Sequence, residues 1–114
     1  MDITHNDYQV QYNTATATVT CQGSFRFRGG EEYAPILQVL LEAADAKPAR
    51  LTLDLRGLRF ANSSGINMLS KFVHQVRQHQ ASQVLVRGNS QHPWQQKSLK
   101  NLQRLLPALH LEVE

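Results

Sequence analysis

From residue 51 to the end of the chain, short apolar runs alternate with longer segments whose apolar residues recur every three or four positions. Residues 51–55 form a compact strand-like run, and the next helical pattern is carried by Ile66, Leu69, Phe72, Val73 and Val76. A short, wholly apolar run at 84–86 predicts a strand that is covered on both faces. A helix from about 94 to 106 and an alternating segment at 109–113 follow. Strands that alternate with helices predict right-handed crossovers and parallel pairing in an α/β sheet.

The first part of the chain has the two-residue period of exposed strands. Residues 8–12 and 15–21 alternate apolar and polar side chains, and we predict an antiparallel hairpin that ends at Gly23. A helix is expected from Glu31 to about Lys47. The predicted order is β-β-α-β-α-β-α-β, in one α/β domain over residues 1–114. Its mixed sheet has four or five strands, with helices mainly on one face.

Composition limits the class of protein further. The 114 residues are 41% hydrophobic and 18% charged, which is typical of one folded domain. The lone Cys21 has no partner for an internal disulfide, and we expect a small buried side chain in a reducing compartment. The first residues lack the regions of a signal peptide, and no apolar run reaches the roughly 18 residues that span a membrane. These patterns predict a cytoplasmic protein without membrane attachment.

The stretch Asn62-Ser63-Ser64-Gly65 lies at the junction between a predicted strand and a predicted helix. Asn and Ser are among the best helix N-caps, so capping is one interpretation. A second is that a serine in the first helical turn accepts a phosphoryl group, whose charge suits the positive end of the helix dipole. The two are compatible if Asn62 or Ser63 caps the helix while Ser64 is modified.

Three loops are expected at one edge of this sheet. The carboxyl ends of parallel strands meet at the same edge, where ligands bind in open α/β sheets. One loop carries Arg26 and Arg28, a second carries the serines, and a third carries His92 and leads to Trp94. We therefore predict that these side chains lie close together.

Residues 51–73, LTLDLRGLRFANSSGINMLSKFV, resemble the central motif of STAS domains, the family that includes the antagonists of anti-sigma factors. The resemblance implies a non-enzymatic signalling module that takes part in transcription regulation and needs no cofactor or metal. It implies phosphorylation of Ser64 by a partner that is both serine kinase and anti-sigma factor, and resetting by a phosphatase. It also implies that Asn62 and Ser63 lie beside Ser64 at the partner interface. We predict that this surface also includes Gly65, Asn67, Met68 and Lys71, together with Arg26, Arg28 and Trp94.

Two features depart from that family pattern. Asn62 replaces an acidic residue, and Arg26 and Arg28 stand in a loop that is usually acidic. The arginines would suit a partner with an acidic surface, or would hold a phosphate on Ser64 or a free anion. The alternative function is a constitutive adaptor, or a module that senses a small anion or nucleotide, without phosphorylation.

Other chemistries find less support in the sequence. Ser64 and His92 lack the third group and the G-x-S-x-G turn of a nucleophilic site. His74 and His79 are five residues apart on a helix, so they diverge and do not form a metal pair. No phosphate-binding glycine motif occurs.

The last helix offers two interpretations. Trp94 covers the core at the start of the helix, or it is exposed as a hot spot for a protein partner. Lys97, Lys100 and Arg104 are expected to form a solvated face, because no DNA-reading helix stands out beside them. We therefore expect no nucleic-acid partner.

Overall fold

A computed structural model of the chain describes residues 2–79 and 83–114. The strands are β1 (Asp2–Thr4), β2 (Tyr8–Asn13), β3 (Thr18–Phe25), β4 (Arg50–Ala61), β5 (Gln83–Gly88) and β6 (His110–Val113). The helices are α1 (Ala34–Asp45), α2 (Ser63–His79) and α3 (Pro93–Leu105), and a 3₁₀ turn over Gly30–Tyr33 precedes α1.

The described strands form a six-stranded mixed sheet in the order β1-β2-β3-β4-β5-β6. β1, β2 and β3 pair antiparallel, and β3 to β6 pair parallel. Each parallel strand is added on the same side of the one before, so right-handed crossovers put the three connecting helices on one face. The predicted α/β fold is confirmed. The sheet has one strand more than expected, because three-residue β1 is too short to show a period.

Two strand ends differ from the predictions. β3 continues past Gly23 to Phe25. Gly23 adopts a φ of +93°, and a Cβ atom built on it would lie 2.2 Å from the Asp7 carbonyl oxygen. Only glycine fits this close approach of the β1–β2 connection. β4 continues past Leu55 to Ala61. The sequence pattern did not show this continuation, because two irregularities in the register with β3 add residues to β4 and break the alternation.

The core lies between the helices and one face of the sheet. In β4, Leu51, Leu53 and Leu55 are buried beneath the helices, whereas the alternate side chains are partly exposed on the other side, which we call the open face. Cys21 is fully buried, as expected, and burial together with the charge of Asp54 raises the pKa of its thiol to about 12. The thiol is therefore neutral and unreactive in the folded protein.

The strand at Val84–Val86 was expected to be covered by other elements on both faces, and this is only half right. Helices cover one face, whereas Leu85 lies on the open face in a shallow cleft with Arg50, Arg87 and Glu112. Leu85 is nevertheless only 6% exposed, because the long side chains of the neighbouring strands screen it.

The centre of the open face carries a network of ion pairs. The Arg56 guanidinium donates to both carboxylate oxygens of Asp54, at 3.0 and 2.9 Å, and to Glu114 at 3.0 Å. Arg87 lies 3.6 Å from Glu112 on the neighbouring strand. Partial burial alone would raise the pKa of Asp54, but the hydrogen bonds and charge of Arg56, with the charge of Arg87, outweigh it and lower that pKa.

We expect Asp54→Asn to destabilise the protein most near neutral pH. The lowered folded-state pKa means that the charged Asp54 stabilises the fold above its unfolded pKa, and that this contribution disappears as the pH falls through the folded pKa. Urea unfolding between about pH 7 and about pH 3 should show the difference between wild type and variant shrinking. Asp45→Asn, at an exposed carboxylate on α1, is the control. A difference that stays constant over this pH range would contradict the role of Asp54.

Candidate functional site

Asn62 closes the junction between β4 and α2. Its Oδ1 accepts the backbone N–H of Gly65 at 2.9 Å and the hydroxyl of Tyr33 at 2.8 Å. Its Nδ2 donates to the carbonyl oxygen of Phe27. Asn62 is therefore the N-cap of α2, and its amide also ties the helix start to the loop after β3.

Tyr33 completes this tie from the helix side of the sheet. The side chain is 0% exposed, and its hydroxyl accepts the backbone N–H of Phe27 at 3.1 Å while donating to Asn62. Burial raises the pKa of Tyr33, so the hydroxyl stays neutral and keeps its proton for Asn62. The backbone of Phe27 is thus held at both its N–H and its C=O group.

Gly65 is a packing residue at this junction. It is buried, and a Cβ atom built on it would lie 3.1 Å from the Tyr33 hydroxyl and 3.2 Å from the Cβ of Phe25. A larger residue would push the helix start away from the aromatic side chains beneath it. The glycine after the serines thus allows α2 to approach the sheet closely.

The two serines lie on the first turn of α2. Ser63 is exposed, and Ser64 is partly exposed, with its Oγ donating to the carbonyl oxygen of Arg28 at 3.1 Å. The loop with the arginines and the helix start therefore share one edge of the sheet. We call this region, formed by residues 26–28 and 62–65, the serine edge.

A cleft of about 590 Å³ runs along α2 from the serine edge. Ser64 lies at its lining together with the exposed side chains of Asn67 and Lys71. Met68, only 3% exposed, contributes to the floor. The cleft thus joins the hydroxyl of Ser64 to the outer surface of α2.

The loop before α3 also reaches the carboxyl edge, but its side chains bind β4. His92 Nε2 lies 3.0 Å from the carbonyl oxygen of Arg56, and the indole N–H of Trp94 donates to that of Leu58 at 2.9 Å. Trp94 is partly buried and packs against the core. These bonds satisfy backbone carbonyl groups of β4 that follow Asp54, which is the last residue of β4 that pairs with β5.

Among the described ranges, no three His, Cys, Asp or Glu side chains come together in a way that would hold a metal ion. Within those same ranges, every helix is too short or too polar to cross a bilayer. The polar side chains at the serine edge and along the cleft carry hydroxyl, amide and cationic groups, from Ser63, Ser64, Asn67, Lys71 and Arg28.

The STAS domain model matches residues 15–93, a span that contains the serine edge and most of the sheet. The chain belongs to the STAS domain family. The STAS fold here also matches three solved structures of Pseudomonas aeruginosa proteins. One is a complex of the diguanylate cyclase SiaD with its activator SiaC, at 15% identity and a TM-score of 0.71, covering 100% of this chain and 99% of the matched chain.

The other two STAS-like matches are structures of SiaC itself. The first has 13% identity and a TM-score of 0.72, covering 100% of this chain and 96% of that one. The second, apo-SiaC, has 15% identity and a TM-score of 0.71, covering 100% and 98%. No curated protein matches the chain by sequence. At these identities the likeness establishes the fold.

Sequence reasoning missed Gln95 in this STAS domain. Its side chain is 0% exposed, accepts the backbone N–H of Asn89 at 2.7 Å, and donates to the carbonyl oxygens of Leu55 and Leu58 at 2.7 and 3.0 Å. The sequence reads Trp-Gln-Gln-Lys at this point, which is typical of an exposed helix turn, so no local signal marks the buried glutamine.

Proposed function

We propose that this STAS domain is a non-enzymatic regulatory module that binds another protein at the serine edge, and that phosphorylation of Ser64 releases it. The proposal depends chiefly on one observation. The Ser64 hydroxyl is partly exposed on the first turn of α2, beside an adjoining cleft, and it donates to a carbonyl of the arginine loop. A charge added there changes both the helix surface and the loop.

The surface offered to the partner extends from the serine edge along α2. Ser63, Asn67 and Lys71 are exposed, and Met68 lies below Asn67 and Lys71 in the cleft. Arg28 is also exposed, and its carbonyl accepts the hydrogen bond from Ser64. Asn62, Gly65 and Trp94 are tied into the fold, so we assign them the task of shaping this surface. The similar fold of SiaC, described as the activator of a diguanylate cyclase, supports a protein partner in signalling.

Phosphorylation would act at this surface in two ways. A phosphoryl group carries about −1.5 to −2 charges, which the positive end of the α2 dipole tolerates. The modified oxygen can no longer donate to the Arg28 carbonyl, and the phosphate oxygens repel it. We therefore infer that the loop over residues 26–28 moves away and that bulk and charge appear at the centre of the interface.

The modifying partners that suit this mechanism are a serine kinase of the anti-sigma type and a phosphatase. We place the protein in the cytoplasm, a reducing compartment in which an unpaired cysteine such as Cys21 is usual. Transcription regulation is the pathway that we favour for it.

Capture from native cells tests the proposal. Tagged wild type and Ser64→Ala are expected to retain the same protein partner, whereas Ser64→Asp should retain at least about tenfold less of it, because it places a fixed charge at the interface. Mass spectrometry of the wild type should find phosphate on Ser64. Ser98→Asp, which adds the same charge at a partly exposed position on α3, is the matched control.

Recovery of as much partner with Ser64→Asp as with the wild type would rule out the phosphorylation switch. The domain would then act as a constitutive adaptor. Enzyme turnover that disappears in Ser64→Ala would replace the binding function altogether.

A further inference from the structure

The second irregularity of β4 places two neighbouring side chains in solvent. Gly23 pairs with Leu58 and Ser24 pairs with Phe60, so Arg59 is an extra residue between them. Leu58 and Ala61 are buried on the helix side, whereas Arg59 and Phe60 are both exposed. Bulges re-aim side chains in this way, often beside functional sites.

Arg26 joins these residues from the neighbouring strand. Phe25 is buried and pairs with Ala61, so the next side chain, Arg26, points to the open face. Its guanidinium carbon lies 5.4 Å from the centre of the Phe60 ring. We call Arg26, Arg59 and Phe60 the rim patch; it lies on the open face and shares Arg26 with the serine edge.

The charges of the rim patch are unpaired, unlike those at the centre of the open face. Arg56 and Arg87 bind carboxylates there, but in residues 2–79 and 83–114 no ion pair includes Arg26 or Arg59. Asp7 lines the same cleft as Arg59, beyond ion-pair distance. Phe60 is 42% exposed, a large apolar surface between two free cations.

We propose that the rim patch docks an acidic peptide segment of the partner protein, and this proposal rests on the protein-binding function proposed above. Two guanidinium groups bind carboxylates with directed hydrogen bonds, and the Phe60 ring holds Arg26 in place while offering apolar contact. The partner then contacts both the start of α2 and the open face, so it reaches around the carboxyl edge.

The open face favours an acidic peptide over a nucleic acid. A strand of RNA needs a continuous basic track with several stacking aromatic side chains. Here the rim patch has one aromatic ring, and it is followed on β4 to β6 by the carboxylates of Asp54, Glu112 and Glu114. Arg56 and Arg87 are already paired with these carboxylates, so they do not continue the basic track that a phosphodiester backbone needs, whereas a short acidic segment needs only the cations of the rim patch.

Fluorescence anisotropy with a labelled oligo-aspartate peptide tests this proposal. The wild type should bind the peptide, and binding should weaken as salt is added. Arg26→Gln with Arg59→Gln should weaken binding by at least about tenfold, and Phe60→Ser by about threefold, because Arg26 loses its support. Lys97→Gln with Lys100→Gln removes the same charge from exposed positions on α3 and should change binding by less than about twofold.

Absence of peptide binding, or an equal loss in the two double variants, would overturn the proposal. So would tighter binding of a single-stranded RNA oligonucleotide that depends on Arg26 and Arg59. The experiment involves neither the native partner nor Ser64. If the domain does not bind the peptide but Ser64→Asp still releases the partner from native cells, the proposal of an acidic segment is wrong and the proposed protein-binding function is unaffected.

Discussion

Gln95→Leu is expected to lower the free energy of unfolding by about 3 kcal/mol. Leucine fills a similar volume but leaves the partly buried N–H of Asn89 and the buried carbonyl of Leu55 without their hydrogen-bond partner. Leu58 keeps its bond from Trp94. Each buried group that loses its hydrogen bond costs about 1–3 kcal/mol. Denaturant unfolding followed by circular dichroism measures the change.

The adjacent residue supplies the control for Gln95. Gln96 is exposed, and its amide has one long contact of 3.4 Å to the carbonyl of Ser90. We expect Gln96→Leu to change the free energy of unfolding by less than about 0.5 kcal/mol. Equal effects of the two substitutions would show that Gln95 does not hold β4 where β5 ends.

Asn62→Ala should lower the free energy of unfolding by a similar amount, about 3 kcal/mol. The change removes the N-cap of α2, the acceptor for the buried Tyr33 hydroxyl and the donor for the Phe27 carbonyl. We also expect weaker binding of the partner, because the loop over residues 26–28 loses its tie to the helix start.

Two further variants separate the roles of Asn62. Asn62→Asp keeps an acceptor for Gly65 and Tyr33 but cannot donate to Phe27, so an intermediate loss of about 1–2 kcal/mol is expected. Ser63→Ala, at the exposed neighbouring position, should cost less than about 0.5 kcal/mol. Full stability of Asn62→Asp would mean that the bond to Phe27 contributes nothing. The amide of Asn62 supplies a donor to the Phe27 carbonyl that a carboxylate lacks.

The periodicity of the sequence was sufficient for most of the fold. The apolar spacing of α2 and the alternation in β2 reflect one-sided burial, which local sequence encodes directly. The strand order also predicted that the arginine loop and the serines lie at one edge of the sheet, because the loops that follow parallel strands lie at the same edge whatever their side chains are. The bond from Ser64 to the Arg28 carbonyl is the result of that topology.

The remaining features depend on contacts between distant residues. β4 was predicted to end at Leu55, and beyond that residue the pairs Arg56-Gly57 and Arg59-Phe60, which are partly or fully exposed, interrupt the alternation. Its continuation depends on pairing with β3 and on the bonds from α3. The burial of Gln95 likewise follows from where β5 stops, and neither fact is visible in a local window of sequence.

The affinity of the captured partner for this domain, with and without phosphate on Ser64, tests the central claim most directly. Protein that carries phosphoserine only at residue 64 should bind the partner at least about tenfold more weakly than the unmodified protein, with the fold unchanged by circular dichroism. Equal affinity of the two forms would contradict the claim that the partner docks against the Ser64 hydroxyl.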